Sequence, residues 1–430
     1  MGRALDRPLM SGRGIDPEEE ATLLPVDAYR EQIASSVRVL EPKTVPLADA
    51  HGLVLTSDVF APFDLPRFRS SSMDGYAVRS DDVTSVPADL GIVGEVRMGL
   101  ETTLVVGRGE AVAVPTGGIV PEGADAVVPI ELCEPAPGGR VTILRPHPPG
   151  KHVRPAGEDA VAGELLMPSG RRLRAPDIGA LAAAGIVSVD VRPRARAGVV
   201  STGNELVRPG TPLSGTQIYD ANVHTLMACL REAGAEPVDG GTVADDPDAL
   251  IAVLDKLADD TDLLVCSGGV SMGVHDPVKR AFETGGEITF ANVGMQPGRP
   301  QAFGTWRPRR SGAEAREVPF FGLPGNPVSV FVSFEVFVRP ALQQMMGYQQ
   351  DRPMVDATLD GDLDAPRTRM RYARVRVRRD GASFVATPQT GHGSNLLATF
   401  ARSDGLALVP AGTRLRAGDR CSVILIREVT

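Results

Sequence analysis

Between residues 194 and 345, short apolar runs alternate with segments of helical spacing. The apolar run at 197–200 precedes a helical pattern at 222–233, which Gly234 closes. Residues 238–243 precede a helix opened by Asp246-Pro247. Residues 263–266 precede one opened by Asp276-Pro277, and residues 318–321 one opened by Asn326-Pro327. Three of these helices therefore start with Asp or Asn followed by proline. The polar side chain can accept from free N–H groups of the first turn, and proline suits the first helical position. Strand and helix alternating in this way predict a parallel-rich sheet covered by helices on both faces.

The flanks carry other patterns. Ile33, Val37 and Leu40 mark one face of a helix over residues 27–40, with Asp27 as its cap. Runs at 111–114, 126–130 and 141–144, separated by Gly and Pro, read as short strands of a small β domain. A helix is expected after Pro176, through Ile178 to Ala184, stopping at Gly185. Beyond Gly347 the helical signal ends. Ala373, Val375 and Val377 alternate with arginines, Asp380-Gly381 reads as a hairpin turn, and short strands fill 406–426. The expected division is a flexible tail over 1–20 and an N-terminal linker domain from 21–60 and 145–193. A β-rich domain over 61–144, an α/β domain over 194–346 and a C-terminal β domain over 347–430 complete it. The fold class is thus multidomain α/β plus β.

Composition narrows the function. Only 4% of residues are aromatic against 42% hydrophobic, so the cores must be aliphatic. A net charge of −9 argues against a nucleic-acid partner, which would call for a basic face. No apolar run approaches the roughly 20 residues of a membrane span, and the first twenty residues lack a signal-peptide core. Cys133, Cys229, Cys266 and Cys421 lie in apolar stretches without CxxC spacing. They are expected to be buried, reduced thiols of a cytoplasmic protein.

Candidate chemistry gathers after the strands of the α/β segment. Three Gly-rich loops stand there: STGNE at 201–205, SGGVSMG at 267–273 and LPGNPVS at 323–329. Ligands of open α/β sheets bind beyond the carboxyl ends of strands, and glycines let backbone N–H groups approach a phosphate. Together the three loops point to one anion pocket. No GxxxxGK[ST] and no GxGxxG after the first strand occur, which excludes P-loop hydrolases and most dinucleotide dehydrogenases. Glu205, Asp245, Asp246 and Asp276 lie beside the loops. Asp246 and Asp276 also read as helix caps, whereas carboxylates beside ligand phosphates commonly hold Mg²⁺. No His or Cys cluster has zinc spacing, and His275, the one histidine near a loop, is expected to face solvent. Two more turns, at 71–77 and 114–118, place Asp74 and Thr116 among small residues.

The segments SSSMDGYAVR, VPTGGIVPEGADAVVP, GEDAVAGE, STGNEL, SGGVSMGVHD, MQPGRPQAFG and FGLPGNPVS follow one another in the chain. In that order they resemble the MoeA/gephyrin E-domain family over nearly all of the chain from about Leu24. The resemblance implies a molybdopterin molybdotransferase. Such an enzyme joins molybdate to adenylylated molybdopterin and releases AMP with Mg²⁺. It implies catalytic roles for Asp74, Thr116, Asp159, Glu205, Asp245 and Asp276, with Asp245 and Asp276 on the metal. Ser267, Gly268, Gly269 and Ser271, with Pro324, Gly325, Asn326 and Pro327, are implied as the substrate loops. Arg299, Pro300, Ser329, Arg369 and Ser403 are implied around the molybdate. The resemblance further implies a C-terminal β-barrel-like domain and a homodimer whose flanking β domains close the site. An upstream adenylyltransferase would supply the substrate.

Two departures from the family pattern stand out. Where the family often has KPGKP, residues 296–300 read QPGRP, so a neutral amide and a guanidinium replace two ammonium groups. Where it has FDNSAMDG, residues 68–75 read FRSSSMDG, which adds Arg69 as a possible replacement charge. Two other readings stay open at this stage: a molybdopterin adenylyltransferase, and a scaffold without turnover. The first needs only the α/β segment and usually has Gly-Gly-Thr-Gly where GGVS stands here. Retention of the acids argues against the second.

Overall fold

The computed structural model describes residues 23–270, 276–309, 316–391 and 393–429. The expected tail at 1–20 lies outside the described residues, as do Ser271 and His275. The chain divides into two compact units, 1–41 with 192–430, and 42–191.

In the first unit the central sheet has six strands. These are β1 (Arg196–Thr202), β2 (Glu236–Val243), β3 (Leu263–Ser267), β4 (Gly286–Asn292), β5 (Pro300–Trp306) and β6 (Val318–Leu323). Their order is β2-β1-β3-β6-β5-β4. The first four positions pair in parallel, whereas β5 pairs antiparallel with both β6 and β4. The sheet is therefore mixed, with an antiparallel hairpin at one edge that the strand–helix alternation did not signal.

Helices α1 (Asn222–Glu232), α2 (Pro247–Ala258), α3 (Pro277–Gly285) and α4 (Pro327–Ser333) follow β1, β2, β3 and β6. Asp246 accepts from the N–H of Asp248, and Asp276 from those of Val278 and Lys279, so both act as caps. Asn326 occupies the same position before α4 but makes no side-chain cap bond, contrary to the expectation. One face of the sheet packs α1, α4 and the helix Val26–Ser36, through Leu226, Phe321, Phe334 and Phe337. The other packs α2 and α3 around Leu250, Phe282, Phe320 and Trp306. Buried Trp306 donates its indole N–H to Asp255 at 3.0 Å, which satisfies the one polar atom of the ring.

The helix expected over 27–40 is shorter, Val26–Ser36, and Pro25 rather than Asp27 precedes it. Ser35 and Ser36 both return hydroxyl bonds to the Gln32 carbonyl, and Val37 is extended. Such local bonds compete with continuation of the helix. The strands β7 (Met354–Leu359), β8 (Met370–Asp380), β9 (Ser383–Pro388), β10 (Gly405–Val409) and β11 (Arg420–Leu425) form the C-terminal domain. They run β8-β9-β7-β11-β10, and β10 pairs back on β8, which closes a five-stranded barrel. Asp380 faces Ser383 across the expected hairpin turn. A one-turn helix, Leu397–Phe400, interrupts the otherwise β region.

The second unit is β-rich. A six-stranded sheet includes Gly75–Val78, Glu110–Val114 and Ala126–Pro129, and a three-stranded sheet joins Lys43–Pro46, Val54–Leu55 and Ser188–Arg192. At the start of its helix Ala175–Ala183, Asp177 accepts from the Arg174 N–H at 2.7 Å, and Gly185 follows with φ 74°. Cys229, Cys266 and Cys421 are buried free thiols, whereas Cys133 is half-buried. Among the described residues no helix is long and apolar enough to cross a membrane.

Candidate functional site

The Gly-rich loops meet at the carboxyl ends of adjacent strands. Gly203 donates its N–H to the Val243 carbonyl, which ties the end of β1 to that of β2. Gly268 donates to Leu323 O, which ties β3 to β6. Gly268 has φ 91°, and a Cβ there would stand 2.6 Å from the Thr202 carbonyl oxygen. Only glycine allows this approach of the β1 and β3 loops. At Gly269 a Cβ would stand 2.7 Å from the Val278 side chain and 3.3 Å from Asp276 Oδ1. The loop thus lies directly over the start of α3, whose Val278 and Lys279 N–H groups are bonded to Asp276 Oδ1.

Two carboxylates border this cradle. Asp245 is exposed; its Oδ1 accepts from Thr202 Oγ1 at 2.9 Å, and its N–H bonds Asn204 Oδ1 at 3.1 Å. Asp276 is buried, with Oδ1 on the N–H groups of α3. Burial and then the charges of Asp276 and Asp245 push the Cys266 thiol up. Among the described residues no group of three or more His, Cys, Asp or Glu side chains could hold a metal. Two carboxylates fit a cation that keeps water and substrate phosphate in its shell, as Mg²⁺ does. Glu205 is exposed beside the same loop.

Two residues that the sequence reading passed over tie the four strand ends together. Buried Asp220 accepts at Oδ1 from Ser201 Oγ (3.3 Å) and Asn222 N (3.0 Å), and at Oδ2 from Thr242 Oγ1 (2.7 Å). Buried Asn222 donates through Nδ2 to Ser267 Oγ (2.8 Å) and to Gly325 O (2.7 Å). Asp-Ala-Asn before a helix reads in sequence as an ordinary start signal, so nothing distinguished this pair.

A second feature lies in the same unit. Met295–Gln296 pairs in parallel with Met370–Arg371, which brings the 296–300 loop to the mouth of the barrel. Gln296, Pro297, Val328, Arg371, Arg374 and Ser394 line a cleft there. Arg371 donates to Asp364, and buried Arg374 donates to Leu396 O at 3.1 Å and Gly391 O at 2.5 Å. Burial, then the like charge of Arg371, hold the Arg374 guanidinium below its ordinary value. Such a cleft favours an anion.

Of the residues expected around molybdate, Arg299 is half-buried in this loop and its carbonyl accepts from Val293 N at 2.7 Å. Pro300 begins β5, and buried Ser329 sits one residue past cleft-lining Val328. Arg369 is half-buried just before β8. Ser403 is fully buried and gives its hydroxyl to Thr399 O at 3.3 Å. Ser394, Arg374 and Arg371 line the cleft instead; the sequence reading noted Arg374 only as part of a strand alternation and did not single out Arg371.

In the second unit Asp74 and Thr116 come together. Asp74 Oδ1 accepts from Thr116 N at 2.6 Å, and this bond, with the Thr116 hydroxyl, holds the carboxyl below its usual range. Gly75 is required behind Asp74, because a Cβ would stand 2.0 Å from Val128 O. Asp159 is exposed on a separate turn and bonds Leu65 O through its N–H at 2.8 Å.

Comparison with known proteins places these features. Residues 24–185 match the MoeA N-terminal region (domains I and II), 198–344 a probable molybdopterin binding domain, and 356–426 the MoeA C-terminal region (domain IV). Molybdopterin molybdenumtransferase 2 of Mycobacterium tuberculosis is 39% identical over 92% of this chain and 99% of its own length. The Bacillus subtilis molybdopterin molybdenumtransferase is 30% identical over 95% and 96%. The crystal structure of a molybdopterin biosynthesis MoeA protein from Pyrococcus horikosii matches with a TM-score of 0.79 at 31% identity, covering 94% of this chain and all of that one.

Proposed function

Because the chain belongs to the MoeA family of molybdopterin molybdenumtransferases, we propose that it takes adenylylated molybdopterin and molybdate and releases AMP, with Mg²⁺ bound. The chain is an enzyme that inserts molybdenum into molybdopterin in cofactor biosynthesis. The observation that carries the finer reading is the meeting of Gly-rich loops and two carboxylates at one sheet end, with a cationic cleft beside the same unit's barrel.

In this reading the N–H groups of Gly269 and Gly325 hold the substrate phosphates. Asp245 and Asp276 hold Mg²⁺, which when bound neutralises charge on the phosphate linkage. Molybdate, a dianion, sits in the cleft of Gln296, Arg371, Arg374 and Ser394, with Arg299 on its rim. Water adds to the adenylate phosphorus, the anhydride bond from that phosphorus to the pterin phosphate breaks, and AMP leaves; when an oxygen of molybdate adds first, water hydrolyses the resulting adenylyl-molybdate to the same AMP and frees molybdate for the dithiolene. The dithiolene sulfurs that take the metal belong to the substrate, so no cysteine ligand is needed. Asp74, Thr116, Asp159 and Glu205 are further candidates for catalysis. The enzyme is proposed to work as a cytoplasmic homodimer downstream of an adenylyltransferase.

Purified protein incubated with adenylylated molybdopterin tests this reading. AMP should appear only with both Mg²⁺ and molybdate. No AMP under any condition sinks the substrate assignment, and conversion of ATP with free molybdopterin would favour an adenylyltransferase instead.

A further inference from the structure

The pair Asp220 and Asn222 has no counterpart in the roles given above. Its bonds follow the strand order. Asp220 joins the ends of β1 and β2 through Ser201 and Thr242. Two residues on, Asn222 joins the ends of β3 and β6 through Ser267 and Gly325. Together they span β2-β1-β3-β6, the whole parallel part of the sheet. Both side chains are buried, at 2% and 7% exposure, so water competes little for these bonds.

The direction of the Asn222 bond matters. An amide nitrogen can only donate, so Ser267 Oγ must accept from it. The hydroxyl has one hydrogen, and this arrangement keeps that hydrogen for another acceptor. Ser267 lies at the end of β3, beside Gly268 and Gly269. The second Asn222 bond holds the Gly325 carbonyl, so the Asn326 N–H, opposed to it in the same peptide plane, faces away from that bond.

We propose that Asn222, anchored by Asp220, is a positioning residue for substrate binding. It fixes Ser267 as a hydrogen-bond donor to the phosphate of the pterin nucleotide and sets the Gly325 loop in register with it. The inference rests on the reading that this cradle takes the substrate phosphates.

The test is a double-variant cycle in the AMP-release assay with adenylylated molybdopterin. Wild type, Asn222→Ala, Ser267→Ala and the double variant are compared for KM and kcat. Each single variant should raise KM about tenfold, the loss of one hydrogen bond to a charged group, with a much smaller change in kcat. Because Asn222 acts on Ser267 and on the Gly325 loop, the double variant should be hardly worse than Asn222→Ala alone. Asn222→Asp keeps the shape and loses the donor, so it should repeat the KM increase even if Asn222→Ala folds poorly. An unchanged KM in Asn222→Asp or Ser267→Ala would overturn the inference, as would a double variant in which the two increases multiply. A lowered melting temperature with unchanged KM would reduce Asn222 to a structural tie. Failure of the underlying reading looks different: wild type itself would release no AMP.

Discussion

Removing the charge of Arg371 should weaken molybdate capture, and adding one at Gln296 should strengthen it. The two residues are paired neighbours across Met295–Gln296 and β8 and line one cleft with Arg374. The Arg371 side chain is only 12% exposed, so solvent screens it weakly, whereas its partner Asp364 is 73% exposed. Arg374 is deeper but already donates to two carbonyls, so its loss would also leave Leu396 and Gly391 unsatisfied. Arg371→Gln is therefore the cleaner perturbation. A bond from a charged group contributes about 1.5–3 kcal/mol and a neutral one about 0.5–1.5, a difference of about 1 kcal/mol or slightly more. The molybdate concentration for half-maximal AMP release should rise about five- to tenfold. Gln296→Lys should lower it about two- to fivefold, because repulsion from Arg371 and Arg374 offsets part of the gain. The double variant should fall near wild type, and all three differences should shrink as salt rises. The assay is AMP release against molybdate at saturating pterin nucleotide, at low and high salt. If Arg371→Gln leaves the molybdate dependence unchanged while the protein stays folded, the cleft is not where molybdate binds.

Other substitutions separate further roles. Asp276→Asn should abolish Mg²⁺-dependent AMP release yet change stability by about 1 kcal/mol or less, because asparagine is itself a good cap; wild-type AMP release with unchanged Mg²⁺ dependence would refute the metal role. Gly268→Ala should cost at least about 1–3 kcal/mol in thermal denaturation and weaken substrate binding, since its backbone sits at φ 91° against Thr202 O. Glu335, buried between Arg339 and Arg352, is penalised by desolvation, but the arginine bonds outweigh this and hold its carboxyl below the usual range. Its contribution is therefore present above about pH 4.3 and lost as pH falls through the lower folded value. Glu335→Gln should destabilise by about 3–5 kcal/mol at neutral pH and flatten that acid limb in denaturant titrations.

Legibility followed the range of the interactions. Asp246-Pro247 and Asp276-Pro277 marked helix starts because a cap bond is made within three residues. The same signal at Asn326-Pro327 gave a helix without the side-chain bond. Hairpin β4–β5 was missed because its pairing partner β6 lies beyond residues 307–317, and nothing local gives the strand direction. Barrel closure through β10 on β8 depends on pairs such as Tyr372 with Leu408, which no sequence period encodes. At the site, glycines and acids were legible as motifs. Asn222 was not, because its function lies in bonds to residues 45 and 103 positions away. Ser394 and Arg374 were missed for the same reason: one is on a loop and the other on a barrel strand, and only the fold brings them to Gln296.

The most direct test of the central claim is to measure molybdenum bound in the pterin product against AMP released, in one reaction with purified protein, Mg²⁺, molybdate and adenylylated molybdopterin. Equal molar amounts, with both lost in Asp276→Asn, are the expected result. AMP released at the same rate without molybdate, or with no molybdenum in the pterin, would contradict the account.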